Sequence, residues 1–259
     1  MTIETELPNS LEAIRTRWAE RRFKPAWPWM MLLARSFLFL FIQGLIALIY
    51  FLSGSTQAWQ DSIRWWLVGV TITNLISLGL LILAARAEGI RFWDYYRVVK
   101  HNVGKELLIL VGLFLIGGPL AYFPNPLLAN VLWGDPIVPF NMMFLPLPAA
   151  VKYLLIVIFP ISVALTEIPI YYLYVMPRLE AIGLGRWGSL IVSATVHSLQ
   201  HVFFPFILDG KFILWRAFMF LPFAIFTGLV IRWRPRLAPY LLVIHGLLDL
   251  SLPLFIPIQ

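Results

Sequence analysis

Long apolar runs separated by short polar stretches set the pattern of the chain. Runs at about 29–53, 65–85, 106–122, 149–176, 187–207, 212–232 and 238–257 are near the ~20 residues an α-helix needs to cross a bilayer core about 30 Å thick. In lipid every backbone polar group must be paired internally, so spans of this kind are helical. The pattern therefore predicts an all-α, polytopic transmembrane helix bundle of about seven spans. No internal or inverted repeat, of the kind many transporters carry, is visible.

The segments between the runs carry their own signals. Residues 1–28 form a cytoplasmic or interfacial N-terminal segment. Pro8 and Ser10 can start a helix there, Leu11, Ile14 and Trp18 recur at helical spacing, and Arg15, Arg17, Arg21 and Arg22 suit anionic headgroups; a plain disordered tail is the alternative. Residues 29–148 comprise the N-terminal membrane helices and an irregular loop. Arg35, near the start of the first run, is placed to snorkel to the interface. Basic and aromatic residues interleave over 86–105, as in a surface-lying segment, with His101 solvated among them. Residues 123–148 hold six prolines and one charge, Asp135, and read as an irregular apolar loop. In the fourth run Pro160 and Pro169 remove backbone donors and free the carbonyls of Ile156 and Leu165, which predicts a broken helix. Asp209-Gly210 is a turn signal.

Composition agrees with the pattern. Sixty per cent of the 259 residues are apolar or aromatic and 13 % are charged, with a mean hydropathy of +0.83; soluble domains average about 45–50 % and about 25 %. The absence of cysteine excludes disulfides, thiolate metal sites and a cysteine nucleophile. Most of the 20 Lys and Arg flank spans, so the basic pI of 9.9 reflects topology, and no nucleic-acid partner is expected. Of the connections on the side opposite the N-terminus, only Arg64, Lys211 and Arg216 are basic. This predicts the N-terminus inside and the C-terminus outside.

Five ionisable side chains fall inside the last spans: Glu167, His197, His201, His245 and Asp249. His197 and His201 are four residues apart, as are His245 and Asp249, so each pair shares a helix face. Counted from the inner ends of their spans at 1.5 Å per residue, all five lie roughly 10–21 Å deep, in one central layer. Ionisable groups at that depth normally face a protein interior or a water-filled cavity.

Residues 149–259 resemble the catalytic core of the CAAX-protease and bacteriocin-processing family (CPBP, or Abi) of intramembrane endopeptidases. That family carries EExxxR, FxxxH and HxxxN or HxxxD on successive helices. The corresponding stretches here are Thr166-Glu167-Ile168-Pro169-Ile170-Tyr171, His197-Ser198-Leu199-Gln200-His201 and His245-Gly246-Leu247-Leu248-Asp249. Thr166 stands at the first glutamate, Tyr171 at the arginine and His197 at the phenylalanine. The resemblance implies hydrolysis of a peptide bond in a membrane-associated peptide or protein by a water activated with Glu/His, with Glu167, His201, His245 and Asp249 catalytic. It also implies membrane lipid as the surroundings and, with the topology, a bacterial inner (plasma) membrane.

The residue types allow this chemistry in two ways. Glu167 and His201 can polarise a water while His245, or a group held by Asp249, donates to the oxyanion. Alternatively His197, His201, His245 and Glu167 form an acceptable donor set for zinc or another divalent metal, although HxxxH lacks the glutamate of the HExxH motif. Against both stands a non-catalytic membrane protein that binds a partner, lipid or ion in the same cavity, its histidines bonding neighbouring helices. A His/Glu proton-coupled transporter is a third option. Arg178 is expected at the interface, and Tyr171, Tyr172 and Tyr174 as packing or interfacial aromatics.

Overall fold

A computed structural model describes residues 10–98 and 103–259; the expected helix start at Pro8 and the placement of His101 lie outside the described residues. Among the described residues the chain is helical, and the only extended pairing is a single bridge of Leu147 with Ile258.

Six helical runs are long and apolar enough to cross a membrane: Ala26–Leu52, Trp66–Ala87, Val103–Trp133, Ala149–Phe203, Gly210–Trp233 and Pro235–Phe255. The fourth doubles back on itself. Tyr172 and His197 are 25 residues apart, a distance of roughly 37 Å along a straight α-helix, yet their side chains touch at 2.9 Å. The reversal falls at Gly183 and Gly185, whose φ angles of +114° and +70° lie in the region that glycine adopts without strain. The six runs therefore make seven legs, close to the number the apolar pattern predicts.

In chain order the helices are α1 (Leu11–Ala19), α2 (Ala26–Leu52), α3 (Ala58–Ile63), α4 (Trp66–Ala87), α5 (Val103–Tyr122), α6 (Pro124–Trp133), α7 (Val138–Met143), α8 (Ala149–Ile168), α9 (Met176–Leu179), α10 (Gly185–Leu199), α11 (Gly210–Phe218), α12 (Leu221–Trp233), α13 (Ala238–Asp249) and α14 (Ser251–Phe255). Helix α8 packs between α4 and α13, α2 lies on α4, and α10 on α12. The approach of α13 to α8 is close because Gly246 lacks a side chain: a Cβ there would sit 2.8 Å from both Ala164 Cβ and the Pro160 carbonyl oxygen.

Two apolar cores stack along the helices, and the polar layer falls between them. On α2, Leu32 belongs to one core and Phe39 to the other; on α4, Leu81 and Val70; on α8, Ile168 and Val163. Arg35, Asn74 and Glu167 stand at the changeover on each helix.

Several expectations are corrected. Residues 123–148 are not irregular: prolines occupy the first turns of α6 and α7, where a missing N–H costs no helical bond. Of the two alternatives for the N-terminal segment the helix is the one formed, capped by Ser10 Oγ, which accepts from Ala13 N at 3.2 Å, with Ile14 buried. Within 86–105, Phe92 and Tyr95 are buried while Trp93 remains exposed. The helix breaks at neither proline: α8 continues through Pro160, and at Pro169 it rewinds into a π-helix over Pro169–Val175. Arg35 does not snorkel but is buried, 1 % exposed, and Arg178 and Arg216 are likewise enclosed by protein, at 0 % and 4 % exposed. Each found internal acceptors instead. Asp209 does form the turn, capping α11 by accepting from Phe212 N at 2.8 Å.

Candidate functional site

Glu167, near the end of α8, is the hub. Its Oε2 lies 2.8 Å from His245 Nε2 on α13. Its Oε1 accepts a very short hydrogen bond from Gln200 Nε2 and stands 3.5 Å from Arg35 Nη2. The Arg35 guanidinium also donates from Nε to Gln200 Oε1 (2.7 Å), and from Nη1 to Asn74 Oδ1 (2.7 Å) and Thr166 Oγ1 (3.4 Å). Asn74 in turn donates to Ser162 Oγ at 2.9 Å, and Tyr171 Oη donates to Gln200 Oε1 at 2.8 Å. Five segments of chain thus hold one carboxylate, its charge matched by one guanidinium.

The histidine tautomers follow from their partners. Tyr172 Oη donates its one proton to Ala224 O at 2.6 Å, so its 2.9 Å contact with His197 Nδ1 requires that Nδ1 carry hydrogen. His201 Nδ1 lies 3.0 Å from His197 O and 3.1 Å from Ser198 O; carbonyls only accept, so this Nδ1 is also the donor. Both Nε2 atoms are then lone-pair acceptors. They stand 3.6 Å and 3.8 Å from Glu167 Oε1, too far for a hydrogen bond. His197 Nε2 is buried with no hydrogen-bond partner in the structure. Two nitrogen lone pairs and a carboxylate oxygen facing one another call for a shared donor or cation.

The i,i+4 relation of His245 and Asp249 is realised, with Nε2 and Oδ2 3.5 Å apart. Among the described residues, the group of three potential ligand atoms that all lie within 4.8 Å of one another is that of Glu167, His245 and Asp249. His197 and His201 approach from the other carboxylate oxygen. A divalent ion held by one nitrogen and two carboxylates fits that trio chemically.

Glu167, Arg35, Gln200, the three histidines and Asp249 open on one cavity of about 470 Å³, walled otherwise by mostly apolar side chains from α5, α11, α12, α13 and the facing parts of α2, α4, α7 and α8. This is the size and character of a small-molecule site.

The five residues expected at one depth are brought together. Arg35, Asn74, Gln200, Tyr171 and Tyr172 were not anticipated in the site. Arg35 and Asn74 carried a usable signal, being strongly polar residues inside apolar runs. Gln200 lay within the histidine stretch itself. Tyr172 carried none, because α-helical spacing from Glu167 selects Tyr171; the π-helical register brings Tyr172 inward as well.

Comparison with protein-family models, with curated proteins and with solved structures returned no match.

Proposed function

We propose that the chain is a divergent CPBP-like intramembrane endopeptidase, hydrolysing a peptide bond of a membrane-associated substrate. The observation that carries this reading is the pair of acceptor nitrogens, His197 Nε2 and His201 Nε2, facing Glu167 Oε1 on a mostly apolar cavity. A water placed among them gives a proton to His201 Nε2, the more accessible of the two, as its oxygen attacks the substrate carbonyl. The proton then passes to the leaving amine as the carbon–nitrogen bond breaks. His245, whose Nε2 lies between Glu167 Oε2 and Asp249 Oδ2, turns its N–H from Glu167 towards the oxyanion as the intermediate forms. Arg35 provides, from a different helix, the guanidinium that the family motif carries at the position of Tyr171. The N-terminus is cytoplasmic, the C-terminus outside, and the membrane a bacterial inner membrane.

A second reading, a non-catalytic protein that binds a ligand in the same cavity, is favoured by one observation: both oxygens of Glu167 already accept from Gln200 and His245. Glu167→Gln and His201→Ala decide between them when folding and hydrolysis of a membrane-embedded peptide are read together. Lost hydrolysis in normally folded variants supports the enzyme; a folded wild type without hydrolytic activity on any such peptide supports the binding protein. Metal content of the purified wild type beside His197→Ala, before and after chelator, separates metal-bound from histidine-activated water.

A further inference from the structure

Arg216 is unlike the other buried arginines. Arg35 meets Glu167 and Arg178 meets Glu88, the latter through two bonds at 2.7 Å and 2.6 Å. Arg216 on α11, only 4 % exposed, makes no ion pair among the described residues. Its Nε donates to His201 O at 3.0 Å and its Nη2 to Phe204 O at 2.9 Å. Those two bonds serve carbonyls of the 3-10 turn that follows α10 over Gln200–Phe203 and of Phe204, which caps it, a structural task that uses one edge of the guanidinium. The other nitrogen, Nη1, makes no hydrogen bond in the structure and is not among the sealed-off polar atoms. The residue lines the cavity, with aromatic rings of Trp66, Trp215 and Phe220 5.7–5.9 Å from its Cζ.

A guanidinium stays charged, and a buried charge without a counter-ion is costly unless something supplies one. The aromatic faces contribute cation–π attraction but accept no strong hydrogen bond. Arg216 presents a single positive charge, and the other guanidinium on the cavity, Arg35, is already matched by Glu167, so a monoanion suits the site better than a dianion. The rest of the wall supplies few partners for a polar body, and α5, which contributes Leu110, Phe114 and Gly117 to the cavity, is otherwise largely exposed on its outer side, where lipid would lie.

We propose that Arg216 anchors the carboxylate head of a single-chain acyl lipid whose tail occupies the apolar part of the cavity. The head lies beside His201, so the bound lipid covers the floor formed by Glu167 and the histidines. The site exists whether or not the protein is a peptidase.

The test compares palmitate with hexadecanol, which has the same chain and a neutral head, on purified full-length protein in non-ionic detergent by titration calorimetry. A hydrogen-bonded charge pair of about 1.5–3 kcal/mol corresponds to at least about a tenfold preference for palmitate. That preference is expected to vanish in Arg216→Gln and to persist in weakened form in Arg216→Lys. Equal affinities in the wild type, or a preference undiminished in Arg216→Gln, overturn the proposal. Should Arg216→Gln fail to fold, the wild-type comparison decides alone. An acylated peptide that prefers its free C-terminus to its amide, with palmitate and hexadecanol binding alike, overturns the lipid and assigns the anchor to a peptide. Binding does not depend on turnover, so failure here leaves the hydrolase reading intact, and the converse.

Discussion

Arg35 Nη2 and Glu167 Oε1 stand 3.5 Å apart although 132 residues separate them in the chain. The pair joins the first membrane helix to the helix that carries the site, and both side chains are buried. Leaving one buried charge alone is far costlier than removing both, about 3–5 kcal/mol for a broken pair. Arg35→Gln is therefore expected to lose stability on that scale, with Arg35→Gln/Glu167→Gln recovering part of it. Thermal unfolding in detergent of the two single variants and the double reads the coupling directly. Additive losses would mean that Arg35 serves Asn74 and Gln200 and leaves the carboxylate unaffected.

How far the site was legible depends on what each residue signals locally. Glu167, His197, His201, His245 and Asp249 announce themselves because an ionisable group in an apolar run needs a partner, and counting from the span ends put all five at one depth. Depth along a span is one-dimensional and does not tell which face of α2 turns inward, and an arginine near a span end, as Arg35 is, has a cheaper option in snorkelling. The same holds for Arg216, which lies near the start of an apolar run and so reads as part of a connection, whereas α11 buries it. The π-helix over Pro169–Val175 was invisible because proline reads as a break; only the packing of Tyr171 and Tyr172 onto Gln200 and His197 selects continued winding. The helical class was legible because apolar run length needs no tertiary information.

Glu88 holds the N-terminal helix to the bundle. Its carboxylate takes two bonds from Arg178 and lies 3.3 Å from Arg17 Nε on α1. Arg17→Ala should release α1 and leave the Arg178 pair standing, so trypsin should cut within Arg15–Lys24 several-fold faster with little change in melting temperature. Glu88→Gln should do both, because it also strands the fully buried Arg178 at a cost of about 3–5 kcal/mol. Equal melting temperatures for the two variants would refute the division of labour.

The position of His245 depends on a glycine. Gly246, its neighbour on α13, faces Ala164 Cβ and the Pro160 carbonyl so closely that an added Cβ would stand 2.8 Å from each. Ordinary contacts begin beyond 3.4 Å, so Gly246→Ala must push α13 off α8. Overpacking of this kind costs about 1–3 kcal/mol. It also moves His245 away from Glu167 Oε2, a 2.8 Å contact with little slack. Ala164→Gly added to Gly246→Ala removes one of the two obstacles and leaves the backbone carbonyl, so it should restore part of the stability and not all. Full restoration would locate the obstruction in the Ala164 side chain alone; a Gly246→Ala protein as stable as wild type would mean that the two helices do not approach as closely as the Glu167–His245 contact requires.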